Sequence, residues 1–340
     1  MNREEVESCA GTLVAPGKGI LAADESSATI KRRLASIDVE STEENRRNYR
    51  DLLFTTPGIE KYISGVILFD ETIRQNARDG TPFVSLLEGK GIIPGIKVDK
   101  GTVDLPGFPG EKVTEGLDGL RERLAEYHEL GARFTKWRAV ITIGEGIPTR
   151  TCISTNAHLL ALFASFSQEA GLVPIVEPEV LSDGNHTIER CEEVTSATLE
   201  QVFSRLREHH VSLEGMLLKP NMVLPGKDCP EQAGISEVAE ATVRCLLRTV
   251  PSSVPGIVFL SGGQSPQLAT ERLNAMNLVV DNPWELSFSY GRALQGPVLK
   301  AWKGRQENVA DAQRNFQLRA RCNSAARNGT YSIDMEQADS

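Results

Sequence analysis

Eight short apolar runs punctuate the chain, and this repetition limits the possible folds more than any other feature. They read ILAAD at 20–24, GVILFD at 65–70, IIPGIKV at 92–98, ARFTKWR at 132–138, VPIVEPE at 173–179, EGMLLKP at 214–220, GIVFLS at 256–261 and LSFSYGR at 286–292. Runs so continuously apolar fit strands covered on both faces, as in a parallel sheet. Helical patterns lie between them. Leucines at 117, 120, 124 and 130 alternate with charges at near-helical spacing. Residues 156–170 are rich in alanine and leucine and stop at Gly171, and 188–209 and 235–248 read similarly. Eight β–α units without a linker predict one α/β domain, a (β/α)8 TIM barrel, over residues 1–320. The alternative is an open doubly wound sheet, which would place a glycine-rich dinucleotide turn after the first strand. Here Gly17-Lys18-Gly19 precedes that strand instead. Residues 321–340 are polar and lack periodicity, and are read as a mobile tail.

Composition excludes some classes of function. The chain has 340 residues, 40% hydrophobic and 24% charged, enough for a large core. Its net charge of -9 gives no global pull on nucleic acid or an anionic membrane, so neither is expected as a partner. No apolar stretch approaches the ~18 residues of a membrane span. The amino terminus lacks a signal-peptide core. The six cysteines are scattered without a Cys-x-x-Cys pair, which reads as reduced thiols in a cytoplasmic protein. The five histidines form no His-x-His or His-x-x-x-His set, so no metal site is expected.

Charged residues concentrate where the apolar runs end. Asp24 ends the first, Lys97 lies near the end of the third, and Lys136 and Arg138 close the fourth. Glu177 and Glu179 close the fifth and Lys219 the sixth; Ser261-Gly262-Gly263 follows the seventh and Arg292 the eighth. Singly, each has a plain structural reading. Asp24 suits a helix cap, Lys136-Trp137-Arg138 a surface cation pair, Glu177 and Glu179 solvated loop carboxylates, and Gly262-Gly263 an ordinary turn. Together they fall on the carboxyl-terminal face of a barrel, where active sites sit. The set suits carbonyl chemistry. A lysine at the mouth of an apolar strand is expected to have a lowered pKa, further depressed by Lys136, and then to attack a carbonyl as a free amine. Carboxylates can move the protons. Ser261, Gly262 and Arg292 can hold a phosphate after strands seven and eight.

Longer stretches then resemble one family. APGKGILAADES at 15–26, GIKVDKG at 95–101, KWR at 136–138, VPIVEPE at 173–179, LLKPNM at 217–222, FLSGGQS at 259–265 and FSYGRAL at 288–294 are similar to the metal-free, Schiff-base class I fructose-1,6-bisphosphate aldolases. The similarity covers roughly residues 10–331. It implies reversible cleavage to dihydroxyacetone phosphate and glyceraldehyde 3-phosphate, with no cofactor, in a cytoplasmic homotetramer of glycolysis and gluconeogenesis. It further implies that Lys219 forms the imine, that Glu177 is the main acid and base, and that Asp24 assists at the C4 hydroxyl. Lys136 would stabilise the carbinolamine and the C4 oxyanion, with Glu179 and Arg138 in support. Ser261, Gly262 and Arg292 would hold the C1 phosphate, and Ser26, Arg33 and Lys97 the C6 phosphate.

Three departures carry expectations of their own. Arg32-Arg33 stands where the family has Lys-Arg, which changes donor geometry but not charge. Pro266-Gln267 replaces an acidic segment after Gly-Gly-Gln-Ser, which is expected to alter a helix start. The sequence closes on residues 335–340 without the family's terminal tyrosine, which implies slow protonation of the enamine. Other Schiff-base barrels, such as transaldolase or deoxyribose-phosphate aldolase, fit the lysine but not two phosphate clusters. The basic mouth also suits acidic partner peptides in a scaffolding role.

Overall fold

The computed structural model describes residues 3–279 and 282–337. Eight parallel strands close into a barrel in chain order. They are β1 (Gly19–Ala22), β2 (Ile63–Leu68), β3 (Ile93–Lys97), β4 (Phe134–Ile141), β5 (Val173–Val180), β6 (Leu217–Leu218), β7 (Gly256–Phe259) and β8 (Glu285–Tyr290). Each falls within or overlaps one of the eight apolar runs. β8 pairs back onto β1 through Ile20 with Ser289 and Leu21 with Tyr290. Threonine and serine caps start the intervening helices: Thr149 accepts from Cys152, Thr187 from Arg190 and Ser265 from Leu268. Among the described residues no helix is long and apolar enough to cross a membrane.

Strand alternation divides the core into two layers. Ile20, Ala22, Ile67, Phe134, Val173, Ile175, Leu217 and Val258 point inward and form one cluster with Val6, Ala10 and Leu13 of the helix Arg3–Leu13. Residues of the opposite parity, among them Leu21, Val66, Trp137, Val176, Leu218 and Ile257, join the shell under the helices. Trp137, for example, stacks on Phe163 with ring centroids 5.6 Å apart. The helix Arg3–Leu13 seats Val6 and Leu13 against Gly215 and Gly65, close to the starts of β6 and β2. Gly95 is required by this packing, since a Cβ there would lie 2.3 Å from the Phe134 ring.

Following each inward row toward the carboxyl end takes the interior from apolar to ionisable. Phe134 gives way to Lys136 and Arg138, Ile175 to Glu177 and Glu179, Leu217 to Lys219, and Ala22 to Asp24. The charged groups therefore stand on a floor of packed hydrocarbon.

Two features differ from the sequence reading. A short hairpin outside the barrel pairs the exposed Thr102–Asp104 with Lys112–Thr114, which is partly buried and ends at the buried Thr114. The polar tail does not begin at 321: the helix Val309–Arg327 runs through that point and buries Cys322, Asn323, Ala326 and Arg327. Its buried face mixes Ala312, Phe316, Ala320 and Ala326 with Arg319, Asn323, Ser324 and Arg327, which blurs the period in hydropathy. Ser324 donates to the Gly17 carbonyl at 2.6 Å, and Arg327 to the Ala15 carbonyl at 3.0 Å. Thr270 donates to Asn323 at 2.7 Å. Beyond it, Ser332 caps a 3-10 turn over Ile333–Glu336, and Glu336 accepts from Tyr331 at 2.9 Å. The last three residues, 338–340, lie outside the described residues.

Candidate active site

A cavity of about 730 Å³ opens at the carboxyl-terminal end of the barrel. All twelve residues singled out from the sequence line it: Asp24, Ser26, Arg33, Lys97, Lys136, Arg138, Glu177, Glu179, Lys219, Ser261, Gly262 and Arg292. Its deepest groups form one ionic cluster. Lys219, 3% exposed, places Nζ 3.3 Å from Glu177 Oε1. The other Glu177 oxygen lies 3.1 Å from Lys136 Nζ, which in turn lies 2.7 Å from Asp24 Oδ2. Asp24, Lys136, Glu177 and Lys219 thus alternate in sign along one path. Arg138 pairs with Glu179 nearer the mouth.

The electrostatics fix the resting charges. Burial alone would push the Asp24 carboxyl up, but the ammonium groups of Lys136 and Lys219 overcome it and hold it well below the usual carboxylate range. Burial likewise opposes ionisation of Glu177, and Lys136, Lys219 and Arg138 outweigh it, leaving its carboxyl lowered. Burial works to lower the Lys136 ammonium, and Asp24, Glu177 and Asp99 reverse that, so it is held above its ordinary value. Glu177 therefore enters any reaction as a base and must collect a proton before it can act as an acid. Lys136 is neutralised by carboxylates and does not stand bare beside Lys219.

These shifts give stability a definite pH dependence. A carboxyl depressed on folding contributes stability above its unfolded pKa, and the contribution is lost as pH falls through the folded value. An ammonium raised on folding contributes fully below its unfolded pKa and loses its share as pH rises through the folded value. The urea midpoint should accordingly hold between neutrality and pH about 5, then drop below the carboxylate range near pH about 4. A midpoint that climbs on acidification to about pH 3 would contradict this assignment of charges.

The outer cavity gathers cations, with Arg33 and Arg138 close enough to repel Arg292. Gln264 N donates to the Ser261 carbonyl at 3.0 Å and closes a tight turn. Gly262 and Gly263 inside it have φ of 53° and 79°, a conformation that favours glycine. Arg292 begins the helix Arg292–Trp302 directly after β8, and its guanidinium lies over Gly263. Burial, with repulsion from Arg33 and Arg138, holds Arg292 below its ordinary value, as expected where an anion would relieve a cation cluster. Ser26 is the N-cap of the helix Ser27–Ala35 but makes no capping bond, so the helix start is open to a ligand. Arg33 reaches toward Gly291, where an added Cβ would lie 3.7 Å from Nη2. The two expected phosphate groups consequently form one continuous arc. Pro266, expected to disturb a helix start, occupies the first turn of Pro266–Leu278, where its missing N–H is harmless.

This geometry can be set beside known proteins. A model of the class-I fructose-bisphosphate aldolase family matches residues 5–340. The chain belongs to that family. A probable class 1 aldolase of Xanthomonas axonopodis pv. citri is 58% identical over 332 residues, covering 97% of this chain and 99% of the relative. The cytosolic fructose-bisphosphate aldolase 6 of Arabidopsis thaliana is 56% identical, covering 97% of this chain and 92% of the relative. The aldolase of Plasmodium falciparum, solved with TRAP and a small-molecule inhibitor, superposes with a TM-score of 0.96 at 53% identity, covering 97% of this chain and 95% of that one. The protein is thus a fructose-bisphosphate aldolase, a carbon–carbon lyase of glycolysis.

The aldolase site also contains groups the sequence reading did not select. Asp99 is buried, with Oδ1 3.3 Å from Lys97 Nζ and Oδ2 4.0 Å from Lys136 Nζ. It accepts the backbone N–H of Arg138 and of Gly101, each at 3.2 Å, and so fixes both lysines to the end of β4. Its position two residues after Lys97 was a usable signal, because alternate residues share a face. Glu25 is buried too. It pairs with Arg33, lies 2.5 Å from Arg50 and accepts from Gln295 at 2.9 Å. Gln295 also donates to the Ala22 carbonyl at 2.6 Å, tying the end of β1 to the helix that begins at Arg292. No local pattern could have revealed partners so distant in the chain.

Proposed function

We propose that this aldolase cleaves fructose 1,6-bisphosphate through a Schiff base on Lys219. The observation that carries the reading is the placement of Lys219 Nζ 3.3 Å from a Glu177 carboxylate whose other oxygen touches Lys136. Lys219 gives a proton to Glu177 and attacks the C2 carbonyl of the open-chain ketose. Protonated Glu177 returns that proton to the carbinolamine hydroxyl, which leaves as water. The iminium withdraws the electron pair of the C3–C4 bond as Asp24 takes the proton of the C4 hydroxyl. Lys136, 2.7 Å from Asp24, stabilises the negative charge that develops at the C4 oxygen. Glyceraldehyde 3-phosphate departs, C3 of the enamine gains a proton, and water releases dihydroxyacetone phosphate. Glu179 and Arg138 hold each other at the rim. Ser261, Gly262 and Arg292 take the C1 phosphate; Ser26, Arg33 and Lys97 take the C6 phosphate.

Borohydride reduction in the presence of dihydroxyacetone phosphate tests this reading. Peptide mapping should find the adduct on Lys219; an adduct on another lysine, or none, overturns the mechanism. A cytoplasmic location fits the reading, supported by the cytosolic designation of the Arabidopsis relative, and the homotetramer implied by the family resemblance is proposed with it. A partner-binding role at the same basic mouth is a second reading. The Plasmodium enzyme was solved with TRAP, and here Arg32 and Arg292 are exposed at the cavity rim, where acidic peptides can reach them.

A further inference from the structure

One buried cation near the cavity has no role in the mechanism above. Arg272 lies on the helix Pro266–Leu278 and is 6% exposed. Its Nη1 donates to Gln264 Oε1 at 2.8 Å, and Nη2 makes a long contact of 3.5 Å to the Ala233 carbonyl. Its Nε has no partner. Among the described residues no carboxylate forms an ion pair with it, and Glu271, next to it in the chain, offsets only part of the effect of burial, so its guanidinium stays below its ordinary value. A buried charge without an ion-pair partner is costly, so its presence calls for a compensating interaction. Among the described residues, the side chain it hydrogen-bonds belongs to the turn that follows β7. Gln264 closes that turn through its backbone N–H on Ser261 and also reaches Met222 Sδ at 3.5 Å with its Nε2. Met222 stands three residues after Lys219.

We propose that Arg272 is a positioning residue for anion binding: it locks Gln264, and with it the Ser261–Gly262 turn, and adds to that turn a buried positive charge that no ion pair neutralises. This rests on the assignment of that turn to the C1 phosphate. The counter-charge missing from the protein is then supplied by the substrate's dianion, whose binding offsets the burial of the guanidinium. The charge acts on the ground-state complex and the transition state alike, because the phosphate does not react. Its signature is therefore in binding rather than turnover.

The test uses the full chain with Arg272→Met, Arg272→Lys and inorganic phosphate as the probe, titrated by calorimetry. In Arg272→Met the phosphate dissociation constant and the KM for fructose 1,6-bisphosphate should both rise about tenfold, with kcat changed by less than about twofold. Arg272→Lys keeps the charge but loses the fork, and should show an intermediate shift of about threefold. Unchanged phosphate affinity in folded Arg272→Met overturns the proposal, as does a fall in kcat with KM unmoved. If Arg272→Met does not fold, Arg272→Lys decides alone, and wild-type phosphate affinity there overturns the proposal. Borohydride labelling of Lys219 keeps this result separate from the reaction itself. Label present with unaltered phosphate affinity counts against Arg272 only, whereas label absent from the wild type counts against the imine. A wild-type protein that binds no phosphate counts against the subsite, and with it the role of Arg272.

Discussion

Lys219→Met should abolish aldol cleavage while leaving the barrel folded. The loss expected from removing a covalent nucleophile is on the order of 10⁵-fold in kcat. Methionine is close to lysine in length and suits the apolar surroundings of Leu217, Leu218 and Pro220, all buried. Glu177 would still face Lys136 at 3.1 Å, so no carboxylate is left without a cation. Circular dichroism and the urea midpoint should therefore stay near the wild type. Borohydride should no longer fix dihydroxyacetone phosphate to the protein. Residual cleavage within about a hundredfold of wild type would show that another group carries the chemistry.

Lys136→Met should be harmful in a different way, damaging stability as well as rate. Lys136 stands among Asp24 at 2.7 Å, Glu177 at 3.1 Å and Asp99 at 4.0 Å. Removing it leaves those carboxylates facing one another in a largely dry site. Breaking a buried pair from one side costs about 3–5 kcal/mol, since the remaining charge is uncompensated. Loss of the group that stabilises the C4 oxyanion should lower kcat by about 10²–10³-fold. The pH dependence provides a further check. In the wild type, acidification removes the contribution of depressed carboxyls. In the variant, the same carboxyls are pushed up by burial and mutual repulsion, so protonation relieves the folded state. The stability gap between the two proteins should therefore narrow between pH about 7 and pH about 4. A gap that widens on acidification would mean that Lys136 does not neutralise this cluster.

The barrel was legible because its strands are buried on both faces, leaving contiguous apolar runs that need no partner to be noticed. The charged groups that line the cavity were legible for a related reason: a charge terminating such a run is conspicuous, as at Asp24, Lys136, Glu177 and Lys219. What escaped detection depends on contacts across the chain. Glu25 is adjacent to Asp24 but gains meaning only from Arg50 and Gln295, which folding brings to it. Arg272 reads as one more charge on a surface helix until its burial is known. The helix Val309–Arg327 is harder to read because Arg319 and Arg327 on its inner face donate to backbone and hydroxyl oxygens and Asn323 accepts from the Thr270 hydroxyl, so polar residues interrupt the apolar stripe of Ala312, Phe316, Ala320 and Ala326.

The helix Arg3–Leu13, seated beneath the strands, has a consequence for traffic through the enzyme. Val6, Ala10 and Leu13 pack against the inward strand residues at the lower end, so the cavity lined by the strand ends opens toward the carboxyl-terminal face. In the reaction proposed above, the ketose, the water expelled as the imine forms and both trioses would all pass through that mouth. The aldehyde would have to clear it before water could reach the remaining imine, so the shape of the vessel would bear on the order of departure as well as the chemistry inside it.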